Sequence, residues 1–213
     1  MIASSRERIE RELPDDALVL DAGGWARPFA RADWVIDLGT YETRGRWGRD
    51  GEEGVERFTR DTWVVADLCA RQPWPFADKQ FDFAVCAQTL EDLRDPIWVC
   101  SELDRVARAG YVEVPAPVEE LTWGVQGPWV GWGHHRWLFE VVDGALQAVY
   151  KPHLLPRAGS HLPAGTLDGL GPEERTTRLW WRETLVCREH VHLGPEEFDA
   201  WLARLLAAAR PWR

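Results

Sequence analysis

Residues 17–39 read ALVLDAGGWARPFARADWVIDLG, and the parsing of this stretch decides the fold. Ala17 to Leu20 is an apolar run that meets Asp21 and the pair Gly23 and Gly24. Trp34 to Ile36 is a second apolar run, and it closes on Asp37. The pattern is strand, turn, strand, with a carboxylate at the end of each strand. In an open parallel sheet, ligands bind beyond the carboxyl ends of the strands, where glycine lets the backbone approach and an acidic residue after the second strand takes a ribose diol. Asp37 stands at that position. A Gly-Gly turn between strands serves equally well as a plain tight turn, so the case rests on what lies downstream.

Upstream, Ile2 to Leu13 alternates charges with Ile9 and Leu13 at helical spacing, and Pro14 ends the pattern; a short helix packed on the sheet edge is expected. Downstream, LGTYETRGRWGRDGEEGVERFTRDT is dense in Gly, Arg and Glu without periodicity and reads as a long loop. Trp63 to Ala66 is a third apolar run ending on an aspartate, Asp67, and Phe81 to Cys86 is a fourth buried strand. Leu90, Leu93, Ile97, Cys100, Leu103 and Val106 then recur three or four residues apart, with Pro96 starting a helix and Gly110 ending it. Tyr111 to Val114 is a fifth strand, stopped by Pro115 and Pro117. Short apolar strands alternating with helical patterns predict an α/β fold with a doubly wound, mostly parallel sheet.

Past Pro117 the pattern changes. Glu119 to Gly133 is rich in Trp and Gly, and Trp137 to Val142 and Leu146 to Tyr150 flank the hairpin signal Asp143-Gly144. Leu179 to Val191 reads as one more strand and Pro195 to Arg210 as a closing amphipathic helix. The 213 residues suit one domain, with residues 1–117 as its core and 118–213 as insertion, hairpin, last strand and helix.

A net charge of -10 and a pI near 5.1 argue against a polyanionic partner, so no nucleic-acid partner is expected. No run approaches the length of a membrane span, and the charged residues 1–16 lack the apolar core of a secretory leader, which predicts a cytoplasmic protein. Cys69, Cys86, Cys100 and Cys187 lie far apart and read as small buried hydrophobes. Among the tryptophans, Trp98, Trp123, Trp129, Trp132 and Trp137 crowd the middle third, where they suit either a binding surface, a core or a homodimer interface.

The segment WPFADKQFDFAVCAQTLEDLRDP, followed by SELDRVARAGYVEVPAP, resembles the class I S-adenosylmethionine-dependent methyltransferases, in particular the type 11-like small-molecule group. That group shows Pro-Phe-x-Asp-x-x-Phe-Asp, a strand, and then Leu-Glu-His-Leu-x-x-Pro. The resemblance covers roughly residues 17–117 and implies a Rossmann-like fold with S-adenosylmethionine as cofactor, released as S-adenosylhomocysteine. It implies that Asp21, Gly23 and Gly24 open the cofactor loop, that Asp37 binds the ribose, and that Asp67 with Leu68 lies near the adenine. Gln88 and Thr89 fall where residues line the methyl-transfer site. Asp67 would serve equally as a cap on the following turn. Two departures stand out. The family loop Asp-x-Gly-x-Gly-x-Gly here has Trp25 and Arg27 in place of its second and third glycines, and Leu-Glu-Asp-Leu replaces Leu-Glu-His-Leu. Arg27 either pairs with the cofactor carboxylate or salt-bridges a surface acid. Asp37 follows Asp21 by only sixteen positions, so the first crossover helix is very short or missing.

The expected function is methyl transfer to a small hydroxyl, amine or carboxyl acceptor, an in-line displacement that needs alignment and a base. His134 and His135 in GWGHHRW are the candidate bases, against the plainer reading of hydrogen-bonded structural histidines. Trp123, Trp129, Trp132 and Trp137 are candidate substrate contacts with Thr89. His190 and His192 share a strand face without an evident third ligand, so no metal is expected. The alternative is a cofactor-binding or partner protein of the same fold without transfer activity.

Overall fold

The computed structural model describes residues 1–48 and 55–209. Five strands, β1 (Val19–Ala22), β2 (Trp34–Asp37), β3 (Trp63–Val65), β4 (Phe83–Ala87) and β5 (Ala109–Pro115), run parallel in the order β3-β2-β1-β4-β5. Two further strands, β6 (Trp137–Val142) and β7 (Ala145–Tyr150), form the expected hairpin about Asp143 and Gly144, both at positive φ as a tight hairpin turn requires. The strand expected over 179–191 is two strands. β8 (Thr176–Arg182) runs antiparallel beside β5, while β9 (Cys187–Glu189) leaves the main sheet and pairs with β7. The break lies at Glu183, which takes a left-handed φ of 65°, and the Leu185 N–H then donates to Asp104 Oδ1 and fixes the corner.

The expected register holds at the site end. Asp21 lies within β1 and Asp37 ends β2, while Asp67 follows β3 by two residues, so the three aspartates share the carboxyl edge. One face of the sheet packs Leu20, Ile36, Cys86, Val112 and Trp181 against α2 (Pro96–Val106) and against Phe139 and Leu146 of the small sheet. The other face packs Val19, Val35, Phe83 and Tyr111 against Ile9 of α1 (Ala3–Glu12), with Phe29 and Phe58. α1 therefore lies over the sheet face, not on its edge. Its position is fixed at Glu113 and Tyr111 of β5: the Ile2 N–H donates to both oxygens of Glu113, and the Tyr111 hydroxyl bonds to Ser5. α4 (Pro195–Ala208) and α3 (Pro117–Glu120) close a third cluster with Leu138 and Val149 on the outer side of the small sheet. The expected helix end at Arg210 and residues 49–54 of the long loop lie outside the described residues.

Gly110 does not end α2. The helix stops at Val106, and Gly110 sits inside β5, where a Cβ would meet the Ala84 carbonyl at 2.4 Å and the Trp181 ring at 2.7 Å. Pro96 does start α2, at its first turn, and Asp95 Oδ1 caps the helix by accepting from the Trp98 N–H. Among the described residues α2 is also the one α-helix in a parallel crossover. The described residues of the links β1–β2, β2–β3 and β3–β4 form turns and, between β2 and β3, two short 3-10 helices, so carbonyls there need other donors. In the β2–β3 link Arg44 Nη1 reaches the Tyr41 carbonyl, and in the β3–β4 link Arg94 Nη2 reaches that of Cys69 and Arg105 those of Trp74 and Phe76. Trp74 and Phe76 of the β3–β4 link are buried in the core cluster with Leu20 and Ile36. Cys69, Cys86 and Cys100 are buried and Cys187 is half-buried, all as free thiols. No described helix is long and apolar enough to cross a membrane.

Candidate active site

The strand exits at the carboxyl edge and the Trp-rich segment after α3 enclose a cavity of about 710 Å³, within the range of small-molecule sites. Asp21, Gly23, Gly24, Arg27 and Gln88 line it from the strand exits, and Trp132, His134 and His135 from the later segment. The loop after β1 is sharply bent. Gly23 has φ +86° and a Cβ there would lie 2.3 Å from the Thr89 side chain, while Asp21 Oδ2 accepts the Phe29 N–H and leaves no room for a side chain at Gly24. Gln88 sits at φ 54°, a left-handed conformation held by its backbone N–H on the Glu113 carbonyl and its side chain on Glu113 Oε1. Such strain accumulates where a structure over-determines a functional position.

The acceptor side is a hydrogen-bonded acid–histidine network. His135 is 7% exposed at its side chain and its Nδ1 donates to Glu120 Oε1 at 2.5 Å; Lys151 holds Glu120 Oε2 at 2.7 Å. Trp132 stacks on the His135 ring at 5.7 Å, and its Nε1–H donates to Glu119, which Arg175 clamps through two nitrogens. His134 Nδ1 donates to Gln126. The Nε2 atoms of both histidines face Asp92 Oδ1 at 3.8 and 3.9 Å. Burial pushes the Asp92 carboxyl up, opposed by His135 and His134. These three groups lie close enough to share a proton or a cation. Glu91 also lines the cavity at 1% exposure, and its Oε2 has no hydrogen-bond partner among the described residues. Burial drives its carboxyl well above the usual range, with Asp92, Glu120 and Glu113 adding to the rise.

The remaining candidates lie outside this cavity. Asp37 Oδ2 accepts the Trp25 N–H and Oδ1 the Gly39 N–H, and burial raises its carboxyl against these bonds. Trp25, at the second glycine position of the family loop, lays its ring on Gly39 and donates Nε1–H to Thr43. Asp67 accepts from Arg94 at 2.5 Å and from the Cys69 N–H, so its carboxyl is held low by the guanidinium. Leu68 is core. Thr89 is buried under Gly23 and bonds to its carbonyl. Trp137 is a core residue of β6 whose Nε1–H donates to the Leu93 carbonyl, Trp123 packs on His161, and Trp129 is exposed. Sequence reasoning missed Glu91, Asp92, Glu119, Glu120, Gln126 and Arg175. The acids stood in plain view in the LEDL and PVEEL runs, but the burial of Glu91, Glu119 and Glu120 and the place of Asp92 on the cavity wall follow only from the folded chain.

Residues 45–112, about a third of the chain, match the family model described as a methyltransferase domain. No curated protein matches. The chain is similar to the solved YcgJ protein from Bacillus subtilis at 17% identity, covering 54% of this chain and 52% of that one, with a TM-score of 0.40. It is similar to a SAM-dependent methyltransferase, possible histamine N-methyltransferase, from Thermotoga maritima at 18% identity, 58% and 54% coverage and a TM-score of 0.37. A S-adenosylmethionine dependent methyltransferase from Mesorhizobium loti follows at 14% identity, 70% and 64% coverage and a TM-score of 0.37. The chain spans about half the length of the first two.

Proposed function

We propose that this chain, which carries a methyltransferase-domain segment on a class I-type sheet, moves the methyl group of S-adenosylmethionine to a small-molecule oxygen, nitrogen or carboxyl acceptor. One observation carries the reading: a single cavity is lined both by the loop residues expected for the cofactor and by the Trp132, His134 and His135 expected for the acceptor. The residues present fit the methionine end of the cofactor. The bent Gly23–Gly24 backbone allows close approach, Arg27 offers a guanidinium to a carboxylate, and Gln88 presents an amide at the strand exit. Asp37 retains lone pairs for ribose hydroxyls after accepting two N–H groups. When bound, S-adenosylmethionine supplies an electrophilic methyl carbon on a sulfonium, so the protein's tasks are alignment and removal of the acceptor's proton.

His135 is built for that proton. With Nδ1–H committed to Glu120, its Nε2 is the basic nitrogen, and Lys151 fixes Glu120 from behind, a base-and-orienter arrangement. The Trp132 face beside it gives a flat acceptor a wall to lie against, and the Arg175–Glu119 clamp fixes that wall. In the same reading the chain acts in the cytoplasm on small molecules. The second reading, cofactor binding without transfer, is favoured by Trp25, whose N–H and indole occupy the Asp37–Gly39 corner where the family has glycine.

Calorimetric titration with S-adenosylmethionine, followed by transfer assays across a panel of hydroxyl, amine and carboxyl acceptors, separates the readings. Binding with turnover is expected; binding without turnover on any acceptor supports the second reading, and no binding removes both. Trp132→Ala and His135→Ala should keep cofactor affinity while kcat/KM falls about 10²-fold or more, the usual share of a positioned base. Reduced stability or a changed oligomeric state in both variants with acceptor kinetics intact would make the segment structural.

A further inference from the structure

A second acid–histidine cluster lies outside the cavity, where β9 gives way to α4. The chain alternation puts His190 and His192 on one side of the strand's continuation, and Gly194 and Pro195 then turn the chain into α4, whose first turn carries Glu197. The third group that the sequence did not reveal is therefore supplied by the helix. His190 Nε2 lies 3.3 Å and His192 Nδ1 3.7 Å from Glu197 Oε1, and the three ligand atoms all fall within 4.8 Å of one another. The two imidazole rings stand 4.5 Å apart at 70°.

His192 is the informative member. Its side chain is 8% exposed, walled by Phe198 and Trp201, and neither ring nitrogen has a hydrogen-bond partner among the described residues. Buried imidazoles normally satisfy both nitrogens. His192 Nδ1 stands 3.7 Å from Glu197 Oε1, a spacing that two ligands of one ion would share. The neighbouring groups are set for one. Glu197 Oε2 accepts the Leu193 N–H at 3.1 Å, which turns Oε1 toward the histidines, and the His190 backbone N–H is tied to the Ala148 carbonyl. Orientation of a carboxylate ligand by an outer hydrogen bond is usual around bound metals. Ligand atoms about 2.1 Å from a tetrahedral ion sit roughly 3.4 Å apart, close to the two spacings to Glu197 Oε1.

We infer that His190, His192 and Glu197 bind a divalent transition ion of the zinc type through two imidazole nitrogens and one carboxylate oxygen, with a fourth position open to solvent beside the exposed Glu197. The ion pins the start of α4 to the end of β9.

The test uses the chelator-treated full chain, titrated with ZnCl2 by calorimetry, with Co²⁺ absorption as a second readout. One ion should bind per chain, with tetrahedral Co²⁺ bands and a rise in Tm on adding zinc. His190→Ala and the exposed Glu197→Gln should each weaken binding at least tenfold without unfolding the chain, since neither is core, whereas His192→Ala alone would confound ligand loss with repacking. Asp92→Asn, which alters the cavity cluster, must leave that stoichiometry and the Tm shift in place. Zinc binding that survives Glu197→Gln and His190→Ala, that is lost in Asp92→Asn, or that is absent from the wild-type chain overturns the site. These readouts do not depend on methyl transfer, so failure here and failure of the proposed activity remain distinct.

Discussion

The half of the main sheet that carries β1, β2 and β3 and the half that carries β4 and β5 solve one problem differently. Parallel strands must be joined by chain that returns across a face, and the backbone of that chain needs hydrogen bonds. Between β4 and β5 the sequence uses a helix, capped by Asp95 and buried through Val99, Cys100, Leu103 and Val106. Between the other strands the described residues form turns and short 3-10 helices, and arginine side chains reach carbonyls of the β2–β3 and β3–β4 links instead. A helix satisfies its own backbone, whereas a stitched loop depends on particular cations held in place by acids, of which Glu102 is the most buried. The first half should therefore fail at single side chains, and the second should tolerate the same kind of change.

The largest expected effect is at Arg105. It bonds both oxygens of Glu102, which is 3% exposed, and also the Trp74 and Phe76 carbonyls. Glu102 Oε2 in turn accepts the Trp74 N–H. Arg105→Met leaves a buried carboxylate unpaired and two carbonyls unserved, and should cost about 3–5 kcal/mol, read as a shift of the urea midpoint. A similar loss from Ser101→Ala, which removes one hydroxyl bond to the Trp98 carbonyl on the surface of α2, would erase the contrast between stitched loop and helix.

The second prediction sets Glu91 against this pattern, because it is a buried acid without a cation. Its folded pKa lies well above the unfolded 4.5, so the folded chain holds a proton that the unfolded chain releases. Stability linked to Glu91 is fully present below about pH 4.5 and falls as pH rises toward the folded value, by about 1.4 kcal/mol for each unit crossed. Glu91→Gln, a mimic of the neutral acid, should match wild type at pH 4 and become the more stable protein as pH rises. Parallel stability–pH curves for the two proteins would show that Glu91 is not held protonated.

The contrast also explains what could be read from the sequence. Apolar runs closing on Asp21, Asp37 and Asp67 are local signals, and the parallel sheet with its aspartate edge follows from them. The short first crossover was legible from chain length and Pro28. The side of the sheet that α1 covers was not, since an amphipathic helix with Ile9 and Leu13 specifies a buried stripe and not its partner. Gly110 was misread because its small size answers to Trp181, some seventy residues away, and the break at Glu183 lacks the glycine or proline that usually marks a turn. Within the site, Trp132 and Trp129 look equivalent in sequence. One stacks on His135 and the other faces solvent, a difference set by tertiary contacts alone.

The smallest effect tests whether the stitched half still serves a ligand. Asp37 has two possible duties: it accepts the Trp25 and Gly39 N–H groups, and it faces the carboxyl edge where a ribose would lie. Asp37→Asn turns an amide NH2 toward one of those N–H donors, so a stability loss of about 1 kcal/mol is expected from the loop alone. If Asp37 also binds the ribose, S-adenosylmethionine affinity should fall by a further ~1–2 kcal/mol, the scale of a hydrogen bond to a charged group. Thr43→Val supplies the control. It removes the acceptor of the Trp25 indole N–H and loosens the same corner while leaving the carboxylate intact. Reduced affinity in Asp37→Asn but not in Thr43→Val, measured by calorimetry, assigns the carboxylate to the ligand. Equal reductions in both would mean that Asp37 acts only by holding the loop around Trp25, and the adenosine end of the cofactor would then have to be bound by other groups.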